Sequence, residues 1–282
     1  GDYWIIKNNK IHDGRIVRNN LGSQGIMLKN NNRGSIVEKN QIYNILKGSA
    51  IAIGGQSFGG IAKEGVNLTV RNNIIYNIDG HSYAILFMSC INCSFYNNLL
   101  YNSSLTESLV YIRESDPSKP YYNENIKIKN NIFYNNDVNF LNQYSWNYYI
   151  FDNNYNGLEI DNNIINHSRE VMMNHNDGTW DIISFAEFKA MGYEQNSIAD
   201  IPIFVDEANL DFHLVEGSPG INQGICLNEV EDDFSGISRP QGDECDIGPY
   251  EYIPKPLTKA FPEAEGFGAY ALGGRGDGIQ TP

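Results

Sequence analysis

Val66-Asn67-Leu68-Thr69-Val70-Arg71-Asn72-Asn73-Ile74-Ile75-Tyr76-Asn77 is the stretch that decides the fold. From Val66 to Val70 apolar and polar residues alternate, the period-2 pattern of a strand with one buried face. Arg71-Asn72-Asn73 interrupts it, and a second β-rich word, Ile74-Ile75-Tyr76, follows at once. After Asn77 and a Gly-containing bend comes a third, Ala84-Ile85-Leu86-Phe87. Short β-branched and aromatic runs bounded by Asn and Gly are strand signals. The same punctuation recurs at Lys7-Asn8-Asn9, Glu38-Lys39-Asn40, Tyr96-Asn97-Asn98, Lys129-Asn130-Asn131, Asp152-Asn153-Asn154 and Asp161-Asn162-Asn163. From Asn9 the steps are 31, 33, 25, 33 and 23 residues, the last reaching Asn154. Repetition at this period marks a solenoid of stacked repeats. No repeat has room for a crossover helix of ordinary length, so three short strands per repeat are expected. Asn tolerates the left-handed backbone of a sharp corner, and Asn side chains stacked from repeat to repeat can hydrogen-bond as a ladder. An Asn-rich β-sandwich is the alternative architecture.

Bulk properties set limits. The chain has 282 residues, enough for a sizeable core, and 41% of them are hydrophobic. The net charge of −14 argues against a nucleic-acid binder, which needs a basic footprint. A polyanionic ligand would need a local basic patch or a bridging metal. No apolar run reaches membrane-spanning length. The chain starts at Gly1 without a capping helix before Tyr3, so sequence upstream is expected. Cys90 and Cys93 form a single CxxC, weak evidence for zinc, and packing in a tight corner is the preferred reading. Cys226 and Cys245 bracket a loop, with a disulfide and free thiols both open.

Loop lengths point to a groove. A long insertion follows Ile53, a tight turn follows Phe87, and a second long insertion follows Ile112. With strands about 4.8 Å apart, the two long loops would emerge about 10 Å apart over a tight floor. They carry Lys63, Glu64, Arg113, Glu114, Asp116, Lys119, Tyr121 and Tyr122. Loops on a rigid scaffold carry function more often than the scaffold does; a pair of solvated surface loops is the competing reading. Tyr111, Tyr121, Tyr122, Trp146, Tyr148 and Tyr149 are candidates for an aromatic stacking surface, although with 18 Tyr in the chain no single one is telling. Further on, Ser184-Phe-Ala-Glu187 is a capping box that predicts a short helix ending at Gly192.

Three resemblances extend this reading. The repeats resemble the right-handed parallel β-helix of the pectin-lyase-like superfamily over residues 3 to 175. Residues 196–252 look like the closing segment of secreted bacterial β-helix proteins: Asp200-Ile-Pro-Ile-Phe-Val-Asp206, Gly217-Ser-Pro-Gly-Ile-Asn-Gln-Gly224, Asp233-Phe-Ser-Gly-Ile-Ser-Arg-Pro240 and Asp246-Ile-Gly-Pro-Tyr-Glu-Tyr252. Ile201 splits the usual Asp-Pro pair, and Gly220 and Asn222 replace the usual Ala and Asp. Asp233, Arg239 and Asp246 in this segment read as a structural ion-pair cluster. Tyr252-Ile-Pro-Lys-Pro-Leu257 is an extended linker. Ala260-Phe-Pro-Glu-Ala-Glu-Gly-Phe-Gly268, reaching Gly273-Gly-Arg-Gly276, is similar to the opening of family 1 pectate lyase domains. Either a lyase domain follows, or this peptide is a tail that docks on the repeats.

The expected fold class is thus all-β: a right-handed parallel β-helix solenoid with a short helix and a turn-rich C-terminal segment. The expected divisions are 1–175 (repeats), 176–252 (closing segment) and 253–282 (linker and truncated start of a pectate-lyase-like segment). The resemblance implies a secreted or cell-surface bacterial monomer acting on pectin or a related uronate polysaccharide. β-Elimination needs a base at C5 and charge stabilisation at the carboxylate. Lys63 or Lys119 would be the base, Arg113 the carboxylate clamp, and Glu114 and Asp116 ligands for Ca2+ as cofactor. Tyr111, Tyr121, Tyr122 and Trp146 would bind substrate. No nucleic-acid or membrane partner is expected. The alternative is a non-catalytic carbohydrate-binding or structural β-helix module attached to a pectate lyase.

Overall fold

A computed structural model describes residues 3–14, 23–54, 64–80, 83–105, 108–113, 123–138, 146–151, 156–166, 171–174 and 179–254. The chain divides into two units, Gly1–Tyr252 and Ile253–Pro282. The first is mostly parallel β-sheet.

Three parallel sheets take one strand each from successive repeats. Sheet 1 runs Ile5–Lys7, Ile36–Glu38, Thr69–Arg71, Ser94–Tyr96, Lys127–Lys129, Glu159–Asp161. Sheet 2 contains Lys10–Gly14, Gln41–Leu46, Ile74–Gly80, Leu99–Tyr101, Ile132–Tyr134 and Ile164–Ile165. Sheet 3 contains Ile26–Leu28, Ile51–Gly54, Tyr83–Met88, Ser108–Arg113, Trp146–Phe151 and Val171–Asn174. Every strand pairs in register with its equivalent in the next repeat, so equivalent side chains form rows. Val37 and Val70 of sheet 1, Ile42 and Ile75 of sheet 2, and Ile51 and Ile85 of sheet 3 meet in one core.

The two corner residues divide the work. The first adopts the left-handed conformation: Asn8, Lys39, Asn72, Asn97, Asn130 and Asn162 have φ between 51° and 59°. Asn takes this region with little penalty. The second residue forms the ladder. Asn40 donates from its backbone N–H and its Nδ2 to Asn73 Oδ1, both at 3.0 Å. Asn73 repeats this on Asn98, Asn98 on Asn131 and Asn131 on Asn163. Asn98, Asn131 and Asn163 are fully buried, so these bonds satisfy groups that water cannot reach. The step after Asn131 is therefore 32 residues, to Asn163, and not the 23 expected to Asn154. Asn153-Asn154 lies outside the described residues.

The last repeat is terminated by different chemistry. Asn163 Nδ2 donates to both carboxylate oxygens of Glu194, at 3.2 and 3.1 Å. The Tyr148 hydroxyl donates to the same carboxylate at 2.5 Å, and Ser197 Oγ donates as well. Burial pushes the Glu194 carboxyl above its ordinary pKa. In sheet 3, Trp180–Ile183 pairs antiparallel with Val171–Asn174 and ends the parallel order. Helix α1, Phe185–Ala190, follows with both halves of the predicted capping box in place between Ser184 and Glu187. It inserts Phe188, fully buried, against Tyr148 and Tyr193.

Residues 198–252 do not simply close the last repeat. They lie on the outer face of sheet 2, where Ile74, Leu99, Ile132 and Ile164 form a second core with Phe204, Phe212, Leu214 and Ile247. The left-handed corner residues hold this segment. Asn72 Nδ2 donates to Asp232 O at 2.7 Å, Asn97 Nδ2 to Asp246 O at 3.1 Å, and Asn130 Nδ2 to Ile225 O at 2.7 Å. Lys39 Nζ pairs with Asp232 at 2.7 Å. The Cys226–Cys245 disulfide is formed, with 19 residues of separation. Closing a loop of that length is worth about 3 kcal/mol in the chain-entropy account. Cys226→Ser is accordingly expected to lower the unfolding free energy by about 3 kcal/mol, read from urea titrations of both proteins; an unchanged midpoint would show that the loop is already fixed by its other contacts.

Candidate functional site

Sheet 3 carries the predicted loops. Its alternation sends Ile51, Ile53, Ile85, Phe87, Val110 and Ile112 into the core. The intervening residues Ala52, Leu86 and Tyr111 align across the outer face, flanked by Met27 on one side and by Tyr149 and Met172 on the other. Gly54, Met88 and Arg113 align one step further along, at the roots of the loops. With the Met88 strand between them, Gly54 and Arg113 lie two strand spacings apart, about 10 Å. Gly54 has φ +89°, and a Cβ there would stand 1.7 Å from Met88 O, so the first loop leaves from a position only Gly fits. The second loop is tied at its base by buried Asn123. Its Nδ2 donates to Arg113 O at 2.9 Å, and its Oδ1 accepts from Cys90 N at 2.8 Å. At the base of the first loop, buried Glu64 accepts from Asn30 N at 2.7 Å.

The structure brings Arg113 and Tyr111 together. The Arg113 guanidinium carbon stands 5.6 Å from the centre of the Tyr111 ring. Tyr111 is buried between Tyr83 and Tyr149, with ring centroids at 4.9 and 4.5 Å. Leu86 and Met88 complete this outer apolar cluster. Tyr111 is thus the centre of an aromatic cluster, with its ring neighbours nearer the surface. Trp146 is placed by its backbone, level with Ser108 at the start of its strand. Lys63, Glu114, Asp116, Lys119, Tyr121 and Tyr122 lie outside the described residues. Among the described residues no group of three His, Cys, Asp or Glu could hold a metal ion. Cys90 and Cys93 are buried thiols; Cys90 Sγ lies 3.1 Å from Ile53 O, and burial pushes the Cys90 pKa well up. Both side chains pack among the core residues.

Sequence reasoning missed Tyr83 and Asn123. Tyr83 precedes the apolar run and reads as its polar flank. The role of Asn123 depends on groups 10 and 33 residues away. Asp233, Arg239 and Asp246, read as an ion-pair cluster, do share one buried network, and its direct ion pair is Arg239–Glu251.

Sheet 1 offers a different opening. A groove of about 420 Å³ crosses its outer face, floored by Thr69 and Ser94 and walled by Asn67, Asn92 and Asn125. Among the described residues, no helix is long and apolar enough to cross a membrane. No known protein-family model matches the chain, and no curated protein is significantly similar to it.

Proposed function

We propose that the three sheets are the faces of one right-handed parallel β-helix of the pectin-lyase-like kind, and that the protein acts outside the cell on a uronate polysaccharide such as pectin. The observation that carries this is the outer face of sheet 3, where an aromatic cluster lies beside Arg113 at the root of the second long loop. A sugar chain laid across these strands would meet Tyr149 and Tyr83 at the rim of the cluster, with Arg113 placed to take a carboxylate. Arg suits this role because its planar fork pairs bidentately with carboxylates. It would stabilise the charge that develops when the C5 proton leaves. Lys63 or Lys119 on the flanking loops would take that proton, the C4–O bond would break to leave a C4=C5 double bond, and water would protonate the departing oxygen; Glu114 and Asp116 are the residues that would hold calcium. Calcium would supply further charge neutralisation at the uronate.

The test is incubation with polygalacturonate and calcium, following the absorbance of unsaturated products. Turnover is expected, and Arg113→Ala should lower kcat/KM by about 10²-fold, the usual cost of one transition-state donor. The buried aromatic cluster favours a second reading, a binding module without chemistry. In that case polygalacturonate retards the protein in a native gel without forming product, and Arg113→Ala abolishes the retardation. Absence of both signals removes the uronate assignment.

A further inference from the structure

We infer that the groove on sheet 1 is a binding site for a neutral sugar chain, separate from the Arg113 face. Its floor is small and hydroxylated. Thr69 and Ser94 stand side by side in register, half-exposed, with Ile36 on one flank and Lys127 on the other. Two small residues between larger ones make the depression. One wall is a second Asn ladder, two residues before the floor in each repeat. Asn92 Nδ2 donates to Asn67 Oδ1 at 2.9 Å, and Asn125 Nδ2 donates to Asn92 Oδ1 at 2.8 Å. All three have φ between 53° and 55°.

This ladder differs from the buried one in what it leaves over. In the core, each Oδ1 takes two donors and each Nδ2 finds further carbonyl acceptors. On sheet 1 each amide makes ladder bonds alone. The Nδ2 of Asn67 and the second Nδ2 hydrogen of Asn92 have no protein partner among the described residues. The ladder also fixes the amides, so a ligand meets donors and acceptors that are already ordered, which lowers the entropy cost of binding. They repeat at the strand spacing, about 4.8 Å, close to the length of one unit in an extended sugar chain. A chain lying across the strands would thus present hydroxyls to one amide per repeat.

Charge selects the class of sugar. Lys127, at the end of the groove, is paired with Glu159 at 3.0 Å, and Lys129 pairs with the same carboxylate. Glu229 stands on the opposite wall. Among the described residues no unpaired cation lines the groove, so they offer a polyanion no charge partner, whereas amides and hydroxyls match the hydroxyls of a neutral glycan.

Affinity electrophoresis against soluble galactan, arabinan, xyloglucan and mixed-linkage β-glucan tests this. At least one polymer is expected to retard the protein. Ser94→Trp, which fills the floor from an exposed side, should weaken that retardation at least tenfold, and Asn67→Ala about threefold. Thr69→Gln serves as a second obstruction if Ser94→Trp melts early. Retardation by none of the four polymers overturns the proposal, and so does retardation that both obstructed variants retain. Polygalacturonate run alongside separates this site from the sheet 3 reading, because Ser94→Trp should leave that response unchanged.

Discussion

Arg239→Ala is expected to remove about 3–5 kcal/mol of stability, the cost of leaving a buried charge without its partner. The Arg239 side chain is 1% exposed and that of Glu251 0%. The guanidinium donates to Glu251, to Gly248 O at 2.7 Å and to Asp246 O at 3.1 Å, and it reaches Asn72 Oδ1 at 3.4 Å. It therefore ties the segment from Arg239 to Glu251 to a corner of the repeats. Glu251 in turn accepts from the backbone N–H groups of Gln241 and Asp246. Removing the cation strands that carboxylate among groups arranged to receive it. The double variant Arg239→Met with Glu251→Leu removes the stranded charge and should recover only part of the loss, because Gly248 O, Asp246 O and the N–H groups of Gln241 and Asp246 then lose their partners. Urea unfolding of the single and double variants measures both. A single variant within 1 kcal/mol of the parent, against the ~3–5 expected, would show that solvent reaches the pair.

The same site has a pH signature. Burial pushes the Asp246 carboxyl up to about 6, with a smaller contribution from Glu251, while Arg239 pulls it down. A folded-state pKa above the unfolded value favours the fold below the unfolded pKa, near 4, and that advantage is lost as pH rises through about 6. Losing Arg239 removes one of the influences that lower this pKa. The deficit of Arg239→Ala should accordingly be larger at pH 7.5 than at pH 5.

Asn98→Asp is the second large expected effect, at least about 4 kcal/mol from a change of one atom group. Asn98 is fully buried at the middle of the ladder. Its Nδ2 serves Val70 O, Tyr96 O and Asn131 Oδ1 at 2.9–3.1 Å. A carboxylate of the same shape donates nothing to these acceptors and places a charge where burial opposes it. Its Oδ1 could still accept from Asn73, so the damage falls on the donor side. Burial raises the pKa of such a carboxyl. Protonation restores one donor, so the deficit should shrink as pH falls. Asn98→Ala should cost less, about 2–3 kcal/mol, and show no such pH dependence. Thermal melts at pH 5 and pH 8 distinguish the two; equal losses at both pH values for Asn98→Asp would mean that water enters the corner.

Local pattern announced the repeating strands, the Asn corners and helix α1, because each depends on neighbours within a few positions. The alternation in Val66–Val70 and the box Ser184–Glu187 are visible at that range. Asp152-Asn153-Asn154 carries the same corner letters as Asp161-Asn162-Asn163, and spacing alone could not choose the one that continues the ladder. Glu194 escaped notice because it finishes an Asn series without being Asn. The course of residues 198–252 over sheet 2 depends on contacts such as Asn72 to Asp232, 160 residues apart, which leave no period in the sequence. At the candidate site, loop lengths pointed to Arg113 and its neighbours. The burial of Tyr111 between Tyr83 and Tyr149 follows from the register of three strands, which only the fold supplies.

The ladder amides, from the exposed Asn9 through the buried Asn40 to Asn163, all point their N–H groups the same way, toward later repeats. Their dipoles therefore add, as peptide dipoles do along a helix axis, and the positive end of the series arrives at Glu194. That field favours the anion and works against burial, which disfavours it. The carboxyl at one end of the series thus feels chiefly the amide of Asn163 beside it, which the amides behind hold in that orientation, and exchanging Asn163 would be felt there electrically.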